Sequence, residues 1–311
     1  MRCSSATLNC ARWKKASAID MQPDLSIIVV NYNTSDFLEV CLESIWRQTG
    51  AAHQTVVVDN AGEDGGAEMV RRKFPWAFLI ANQSNAGFAR ANNQALSYCG
   101  GRYIFYLNPD TELQEGAFAR MTAYMDANRQ VGLAGCRLVN PDGSPQSSTE
   151  ARYPGQKYAA GELKGLGGDI AWVMGAAMVA ETSLIKTLGG FDERFFIYGE
   201  DADLCLRVRK AGFQIGYIDD AVVVHWGGRS ERDNEPLEVW SRKFAAEMIF
   251  YRTHYPGRAV GAIRRAHLMK ALWRVATIRL SLPFIREKSG ALAKLERYRH
   301  VLKVLGNAAE K

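Results

Sequence analysis

The chain has 311 residues, 47% of them hydrophobic, which is enough to bury one large core or two smaller ones. It contains no run of 18 or more apolar residues, which argues against a membrane-spanning helix. The net charge of +6 is uneven, because residues 241–311 contain 16 Lys or Arg and 4 Asp or Glu while the remainder of the chain is slightly acidic. A basic tail of this kind suggests an anionic partner.

The first 20 residues are basic but lack an apolar segment, so the sequence predicts a disordered extension over residues 1–23 and argues against a secretory signal. The six cysteines are scattered without a CxxC pair. This spacing argues against a zinc site or a disulfide framework and favours buried thiols in a reducing cytoplasm.

Strands and helices alternate four times within the first 110 residues, which predicts an α/β fold with a doubly wound parallel sheet. Leu25–Val30 is a continuous apolar, β-branched run, as expected for a central strand covered on both faces. Polar residues stand where the predicted strands end: Asn31, Asn33, Asp59, Asn85 and Asp110.

Each of these polar residues taken alone is more often a turn residue than a ligand. Their recurrence indicates a binding site, because the carboxyl ends of parallel strands share one edge. No G-x-G-x-x-G motif follows the first strand, and no G-x-x-x-x-G-K-[ST] motif occurs in the sequence. The sequence therefore lacks the glycine-rich loops that usually bind nucleotide phosphates. A bound diphosphate would therefore need a metal, for which Asp110 is the candidate. The alternative is that Asp110 caps a helix near 115–127.

The pattern changes after residue 138. Asn140–Gly143 is a strong turn signal between segments that could pair antiparallel, and residues 144–168 have the composition of a mobile loop. Residues 172–180 form a strand-like run in which Gly175 indicates close approach of another group. Residues 215–224 predict two short strands around Asp219 and Asp220.

His225 ends the second of these strands and precedes a glycine pair. A lone histidine is more often structural, but this position is suited to a ligand facing a cleft.

Residues 189–212 predict a helix with acids at its start and cations at its end, matching the helix dipole. Asp201 lies three and four residues before Leu204 and Cys205, which places it on the core-facing side of the first turn. It is either a helix cap or a general base in a cleft. Asp203 lies four residues before Arg207, which predicts an ordinary surface pair.

Seven motifs occur in order: V-V-N-Y-N at 29–33, V-D-N at 58–60, N-A-G-F-A-R-A-N-N at 85–93, L-N-P-D at 107–110, G-G-F-D-E-x-F-F at 189–196, E-D-A-D-L at 200–204 and a histidine at 225. Together they resemble the inverting family 2 glycosyltransferases of the GT-A fold, in particular their bacterial rhamnosyltransferase-like branch. The resemblance covers about residues 25–230. Each motif alone is weak, whereas the ordered set is specific.

The resemblance implies a GT-A (Rossmann-like) fold, with a mostly parallel central sheet, flanking helices and a C-terminal basic helical extension. The catalytic domain would span residues 24–236, divided into a nucleotide-binding half at 24–135 and an acceptor half at 136–236. The extension would occupy residues 237–311.

The resemblance also implies roles for individual residues. Asp201 would be the catalytic base, and Asp110 and His225 would hold a divalent Mg²⁺ or Mn²⁺. The residues expected to bind the nucleotide sugar are Asn31, Tyr32, Asn33, Asp59, Asn85, Gly87, Asn92, Asn108 and Asp110. Those expected at the acceptor are Trp172, Gly175 and Glu200.

The usual D-x-D motif is here Asn108-Pro109-Asp110, so its first acid is missing. The Q-x-x-R-W motif of processive members is absent, which favours transfer of a single sugar. The expected donor is a nucleotide-diphosphate sugar, with dTDP-rhamnose first and a UDP-hexose or UDP-HexNAc as the alternative. The expected acceptor is a glycan or polyprenyl-diphosphate-linked glycan of the cell envelope.

The basic tail predicts helices with apolar and cationic faces, for which two interpretations stay open. They form either a cap on the catalytic domain or a surface that docks on anionic lipid, with Trp273, Leu280, Leu282 and Phe284 available for insertion. The expected location is cytoplasmic, with peripheral binding to the inner face of the membrane on the second interpretation. No motif supports nucleic acid as a partner. Oligomeric state stays open.

Two functions of other classes are alternatives to sugar transfer. An oxidoreductase on a nucleotide-binding sheet is disfavoured by the missing glycine fingerprint. A non-catalytic sugar-nucleotide or membrane scaffold is disfavoured by the presence of Asp110, Asp201 and His225 together.

Overall fold

The computed structural model describes residues 22–228 and 234–307. Most of the predicted extension, residues 1–21, lies outside this range. Within the described residues the strands are β1 (Leu25–Asn31), β2 (His53–Asp59), β3 (Phe78–Ala81), β4 (Tyr103–Leu107), β5 (Thr111–Leu113), β6 (Val131–Val139), β7 (Pro145–Gln146), β8 (Thr149–Glu150), β9 (Trp172–Val173), β10 (Ala177–Glu181) and β11 (Gln214–His225).

The α-helices of the described chain are α1 (Ser35–Trp46), α2 (Gly66–Lys73), α3 (Phe88–Leu96), α4 (Ala117–Ala127), α5 (Thr182–Leu188), α6 (Glu200–Lys210), α7 (Pro236–His254), α8 (Gly257–Ser281) and α9 (Ser289–Asn307). Short 3₁₀ turns occur at Gln156–Tyr158 and Leu282–Phe284.

The central sheet has the strand order β3-β2-β1-β4-β10-β6-β11-β5, with β7 paired to β6. The strands from β3 to β4 are parallel, as the alternation predicts. The sheet is mixed beyond β4, because β10 runs antiparallel to both β4 and β6. The predicted α/β fold is confirmed.

Both faces of this sheet are covered, which explains the unbroken apolar run of β1. Ile27 and Val29 pack on one face with residues of α1 and α4. Ile28 and Val30 point to the other face, where α3 and α6 contribute the cover. Because side chains alternate along a strand, a strand buried on both sides must be apolar at every position.

The two short strands predicted around Asp219 and Asp220 are wrong. The structure has one strand, β11, whose register with β6 shifts between Ile218 and Val222. The two acids are exposed within this bulge, and hydrogen bonding to β6 resumes on its far side. A bulge absorbs extra residues without ending a strand, so the acids do not mark a turn.

The turn predicted at Asn140–Gly143 is confirmed, since β6 and β7 pair antiparallel across it. The strand-like run at 172–180 is two strands, β9 and β10, with Gly175 between them. Buried thiols are also confirmed: Cys41, Cys99, Cys136 and Cys205 are free and buried. Burial raises the pKa of Cys41 and of Cys99 to about 12, so these thiols stay protonated.

The chain divides into two compact units. The described parts of residues 1–153 and 166–232 form the first, which contains the sheet. Residues 154–165 group with the described residues after 233 in the second, which contains α7, α8 and α9. Inside that unit the Tyr255 hydroxyl donates to the Pro154 carbonyl at 2.6 Å. No described helix has both the length and the apolar content to cross a membrane.

Candidate active site

The carboxyl ends of β1 and β2 bring Asn31 and Asp59 side by side, because these residues are register partners. The Asn31 amide donates to Asp59 Oδ1 at 2.8 Å, and the Thr34 hydroxyl donates to Asn31 Oδ1 at 2.8 Å. Asn31 is fully buried and Asp59 nearly so. Burial raises the pKa of Asp59, while the hydrogen bond from Asn31 partly opposes the shift. Asn31 therefore orients Asp59.

Tyr32 and Asn33 follow Asn31 and are partly accessible. Asn33 has a left-handed backbone (φ 54°), and its side-chain oxygen accepts a hydrogen bond from the Glu63 backbone at 2.8 Å. This contact ties the turn after β1 to the glycine-rich loop after β2.

Asn60, which the candidate set omits, organises the next part of the same edge. Its amide nitrogen donates to Asn85 Oδ1 at 2.9 Å, and its oxygen accepts from the Ala86 N–H and the Asn82 amide, both at 2.9 Å. Asn60 is 2% exposed, so these bonds are shielded from water. They hold the loop that carries Asn85 against the end of β2.

Gly87 lies where the loop that carries Asn85 contacts the segment before α6. Its backbone has φ 83°, and a Cβ placed on it would lie 2.7 Å from a ring carbon of Phe196. The Phe88 N–H donates to the Phe196 carbonyl at 2.7 Å. Only glycine allows this approach. Asn92 lies farther along α3, nearly buried, and donates to the Phe88 carbonyl at 2.9 Å.

Asp110 and His225 converge, as their assignment as joint metal ligands requires. His225 Nε2 lies 3.5 Å from Asp110 Oδ1, and both residues are buried. Antiparallel pairing of β5 with β11 makes Thr111 the register partner of His225, and the Trp226 N–H donates to the Asp110 carbonyl at 3.0 Å.

Gln146, also absent from the candidate set, fixes the histidine ring. Its side-chain oxygen lies 2.6 Å from His225 Nδ1, while its amide nitrogen donates to Asn140 Oδ1 at 2.9 Å. The amide orientation makes the Gln146 oxygen an acceptor, so Nδ1 carries the proton. Nε2 then faces Asp110, and a second ring nitrogen held by a hydrogen bond is the arrangement that metal-binding histidines use.

Asp201 lies in the first turn of α6, behind a turn in which Tyr198 and Gly199 have φ of 70° and 79°. Its Oδ2 accepts the Gly175 N–H at 3.2 Å, and its Oδ1 accepts the Ala202 N–H at 2.8 Å. Asp201 keeps partial access to solvent. Burial raises the pKa of its carboxyl group, and the two N–H groups oppose that shift.

The backbone beside Gly175 connects Asp201 to the loop of Asp110. The Asn108 N–H donates to the Ala176 carbonyl at 2.9 Å, and Ala177 is the register partner of Leu107. The antiparallel entry of β10 beside β4 thus places Gly175 at the edge where β4 ends. The side-chain oxygen of Asn108 is buried without a hydrogen-bond partner among the described residues.

Glu200 precedes Asp201 and is 6% exposed. Its Oε2 is buried and, within the described chain, has no hydrogen-bond partner. Burial raises the pKa of Glu200 well above its usual value, and the charge of Asp201 raises it further. Of the two adjacent acids, Asp201 has the hydrogen bonds that stabilise a negative charge, so as pH rises Asp201 is the first to ionise.

The surface pair predicted for Asp203 and Arg207 is wrong in its location. Asp203 is fully buried, and Arg207 Nε donates to its Oδ2 at 2.8 Å. Arg207 also donates to the Leu188 carbonyl at the end of α5, at 3.1 Å. Packing of α5 against α6 covers a pair that the helical spacing alone would leave in solvent.

Trp172 is partly accessible and donates its indole N–H to the Arg152 carbonyl at 3.1 Å. Its strand β9 pairs with β8 in a separate two-stranded sheet. Phe196, absent from the candidate set, is 50% exposed beside Gly87. An aromatic surface at this position is suited to stacking against a sugar or a base.

A divalent metal fits Asp110 and His225. A carboxylate and an imidazole whose other nitrogen is already hydrogen bonded form a suitable partial ligand set, and a substrate diphosphate and water can supply the rest. Within the described residues no group of three or more His, Cys, Asp or Glu side chains converges. Asp110 and His225 alone would leave the other coordination positions of such a cation to substrate and water.

Two glycosyltransferase family models match the chain. A family model described as Glycosyl transferase family 2 matches residues 26–178, and another, described as Glycosyl transferase family group 2, matches residues 103–286, more than half of the chain. The chain belongs to glycosyltransferase family 2.

Two relatives have names that specify rhamnose transfer. An N-acetylglucosaminyl-diphospho-decaprenol L-rhamnosyltransferase of Mycobacterium tuberculosis is 25% identical over 263 residues, covering 75% of this chain and 85% of that protein. The rhamnosyltransferase WbbL of Escherichia coli is 21% identical over 226 residues, covering 66% of this chain and 84% of that protein.

Among solved structures, a mannosyltransferase of Pyrobaculum calidifontis in complex with GDP-Man and Mn²⁺ is similar with a TM-score of 0.57. It is 20% identical, and the match covers 97% of this chain and 91% of that one. At this identity the likeness establishes the fold, and it confirms the GT-A class.

Proposed function

We propose that the enzyme transfers a single sugar, L-rhamnose from dTDP-rhamnose, to a hydroxyl of a lipid-linked glycan acceptor. The reaction would be a metal-dependent inverting displacement in cell-envelope polysaccharide synthesis. The observation that supports it most is the contact path from Asp201 through Gly175 and Ala176 to Asn108, which brings a candidate base to the edge holding Asp110 and His225.

In the proposed step, Asp201 removes the proton of the acceptor hydroxyl. The acceptor oxygen forms a bond to the anomeric carbon as the bond from that carbon to the nucleotide diphosphate breaks. Attack from the face opposite the leaving group inverts the anomeric centre. A positioned base of this kind contributes roughly 10²–10⁴-fold to the rate.

Asp110 and His225 would hold the divalent cation, which when bound would neutralise negative charge on the diphosphate. Asp59 would bind the nucleoside in the orientation that Asn31 gives it, and Tyr32, Asn33, Asn85, Gly87 and Asn92 would build the walls of the same pocket. Trp172, Gly175 and Glu200 would face the acceptor. Glu200, held neutral, can donate a hydrogen bond without adding a second charge next to the base.

The choice of rhamnose as the transferred sugar is supported by the names of both relatives, and the lipid-linked acceptor by the name of the mycobacterial one. We propose that the enzyme works at the cytoplasmic face of the membrane, where a lipid-linked acceptor would be presented. A UDP-hexose or UDP-HexNAc is the alternative donor.

A donor screen tests the proposal. Purified enzyme is mixed with dTDP-rhamnose, UDP-glucose, UDP-GlcNAc and GDP-mannose, each with Mg²⁺, Mn²⁺ or EDTA, and with a short-chain GlcNAc-diphospho-lipid. Release of nucleoside diphosphate and mass spectrometry of the acceptor report transfer. We expect dTDP release and addition of one deoxyhexose. Turnover with only one of the other donors would identify that sugar, instead of rhamnose, as the one transferred. Nucleotide binding without turnover on any acceptor would favour a non-catalytic scaffold protein.

A further inference from the structure

Helix α8 has an apolar side that packs against the rest of its unit. The buried residues on this side are Ile263, Ala271, Val275 and Ile278. At about 100° per residue, all four fall on one half of the helix circumference. Val275 and Ile278 cluster with Leu295 of α9, which covers part of this side. This is the single apolar stripe that a surface helix normally has.

The opposite side of α8 is also apolar, although it is exposed. Five of the nine exposed large hydrophobic side chains in the described chain lie in α8 or in the 3₁₀ turn after it: Met269, Leu272, Trp273, Leu280 and Phe284. The four that belong to α8 fall within a sector of about 100°, and the exposed Ala276 lies near its middle. We call Met269, Leu272, Trp273, Ala276 and Leu280 the exposed face of α8.

The exposed face of α8 calls for a partner. A surface helix normally turns charged and polar side chains away from its core, and a helix that is apolar on two opposite sides is normally covered on both. Trp273 is 69% exposed, so the described parts of the chain leave this face open to solvent. A contiguous apolar patch of this kind marks an interaction surface.

The charge of α8 indicates the kind of partner. Residues 257–281 contain six Arg or Lys and neither Asp nor Glu. Arg265 and Arg279 are exposed on the same side as the apolar residues, one at each end of the face and about 21 Å apart along the axis. An apolar surface with a cation at each end and no acid is complementary to an anionic surface that also accepts apolar side chains.

A second copy of the chain fits this face poorly. A two-fold interface brings the same surface of both copies together. With no acid in α8, either direction of pairing would place arginines of one copy beside arginines of the other. Such like-charge contacts oppose association. The headgroups of an anionic bilayer would instead attract both ends of the face.

We propose that the exposed face of α8 docks on a membrane that contains anionic phospholipid, with the helix axis lying in the interface. The apolar side chains would enter the boundary of the acyl chains, and Arg265 and Arg279 would extend to the lipid phosphates. This inference deepens the proposed function and rests on it for its purpose, because a lipid-linked acceptor would lie in the same membrane.

Vesicle co-sedimentation of the full chain tests the surface. The vesicles are phosphatidylcholine alone or with about 30 mol% phosphatidylglycerol, and they contain no glycan acceptor, so the result is independent of sugar transfer. The apolar variant is Trp273→Gln, and its matched control is Trp46→Gln, since Trp46 is 64% exposed on α1. The charge variant is Arg265→Gln with Arg279→Gln, and its control is Arg71→Gln with Arg72→Gln, two exposed cations of α2. Thermal denaturation checks that each variant is folded.

We expect the wild type to bind the anionic vesicles and to be released by salt. Trp273→Gln should lose roughly tenfold in affinity, the order expected for one large apolar side chain that becomes partly buried. The charge variant should lose roughly 30-fold at low salt, and each control should lose a few-fold at most. Lipids with brominated acyl chains should quench the tryptophan fluorescence of the wild type more than that of Trp273→Gln.

Three results would overturn the proposal. Equal losses in a variant and its control would show charge attraction without a defined surface. Absence of vesicle binding would exclude a membrane as the partner. A dimer that forms without vesicles and dissociates in Trp273→Gln, measured by sedimentation velocity, would show that a second copy covers the face.

Discussion

Two adjacent acids of α6 should respond in opposite ways to the same chemical change. Asp201→Asn and Glu200→Gln each replace a carboxyl group by an amide of equal size. We expect the first to abolish sugar transfer and the second to preserve most of it. The reason is that the Asp201 carboxylate accepts hydrogen bonds from two backbone N–H groups, whereas burial raises the pKa of Glu200 well above its usual value.

The expected change in kcat follows from the role assigned to each acid. Loss of a positioned base costs roughly 10²–10⁴ in kcat, equivalent to about 3–5 kcal/mol of transition-state stabilisation. Glutamine reproduces the shape and neutrality of a protonated Glu200, so its kcat should stay within about threefold. Nucleotide affinity should be unchanged in both variants, because neither residue is assigned to the donor.

The assay is initial-rate release of nucleoside diphosphate across pH 4.5–9, with nucleotide affinity measured by calorimetry. Activity should fall as pH decreases through the raised pKa of Asp201, because the protonated acid cannot accept the acceptor proton. Glu200→Gln should retain that acidic limb. Near-normal turnover of Asp201→Asn, or equal inactivity of both variants, would refute the assignment.

Stability provides an independent readout of the same pair. An acid whose pKa is higher in the folded state binds its proton more tightly when folded, so it stabilises the fold at low pH. That contribution is lost as pH rises from about 4.5 toward the raised pKa. We therefore expect urea midpoints of the wild type to fall more than those of Glu200→Gln between pH 5 and 8. Parallel curves would contradict a proton on Glu200.

Three further predictions follow from single contacts. Asp203→Asn should lower the free energy of unfolding by about 2–4 kcal/mol in urea, since it removes the buried carboxylate that pairs with the partly buried Arg207 guanidinium. Glu238→Gln, in a more exposed pair of the same spacing, should cost about 0.5 kcal/mol or less. His225→Ala should weaken the dependence of nucleotide binding on Mn²⁺, and an unchanged metal titration would make this histidine structural. Gly87→Ala should raise the KM for the donor about tenfold or more, because the added Cβ would clash with Phe196. Gly143→Ala is the control: its backbone has a similar φ of 81°, but no atom lies within 4 Å of an added Cβ, so it reports backbone strain alone.

The sequence was sufficient for features that depend on short periods and on strand order. Asn31 and Asp59 could be placed together because parallel strands end at a common edge, and the structure makes them register partners. The apolar residues of α6 also predicted that Asp201 lies on the side of the helix that faces the core. Such inferences need only local geometry and one topological rule.

Other features depend on packing between distant segments. The spacing of Asp203 and Arg207 is the same for a surface pair and a buried one, and only the position of α5 distinguishes them. The sequence did not single out Asn60 or Gln146, because their partners lie more than 20 and more than 70 positions away. No periodicity reports a hydrogen bond across such separations, so these roles required coordinates.

The position of β10 also affects how the enzyme folds during translation. This strand lies between β4 and β6, yet it is made last of the three, about 40 residues after β6 ends. β4 ends about 70 residues before β10 begins, so at roughly 5–20 residues per second a nascent chain would hold β4 with an open edge for about 4–14 s before its neighbour exists. An unpaired apolar edge is an aggregation hazard, so the ribosome-bound intermediate should be a substrate for chaperones.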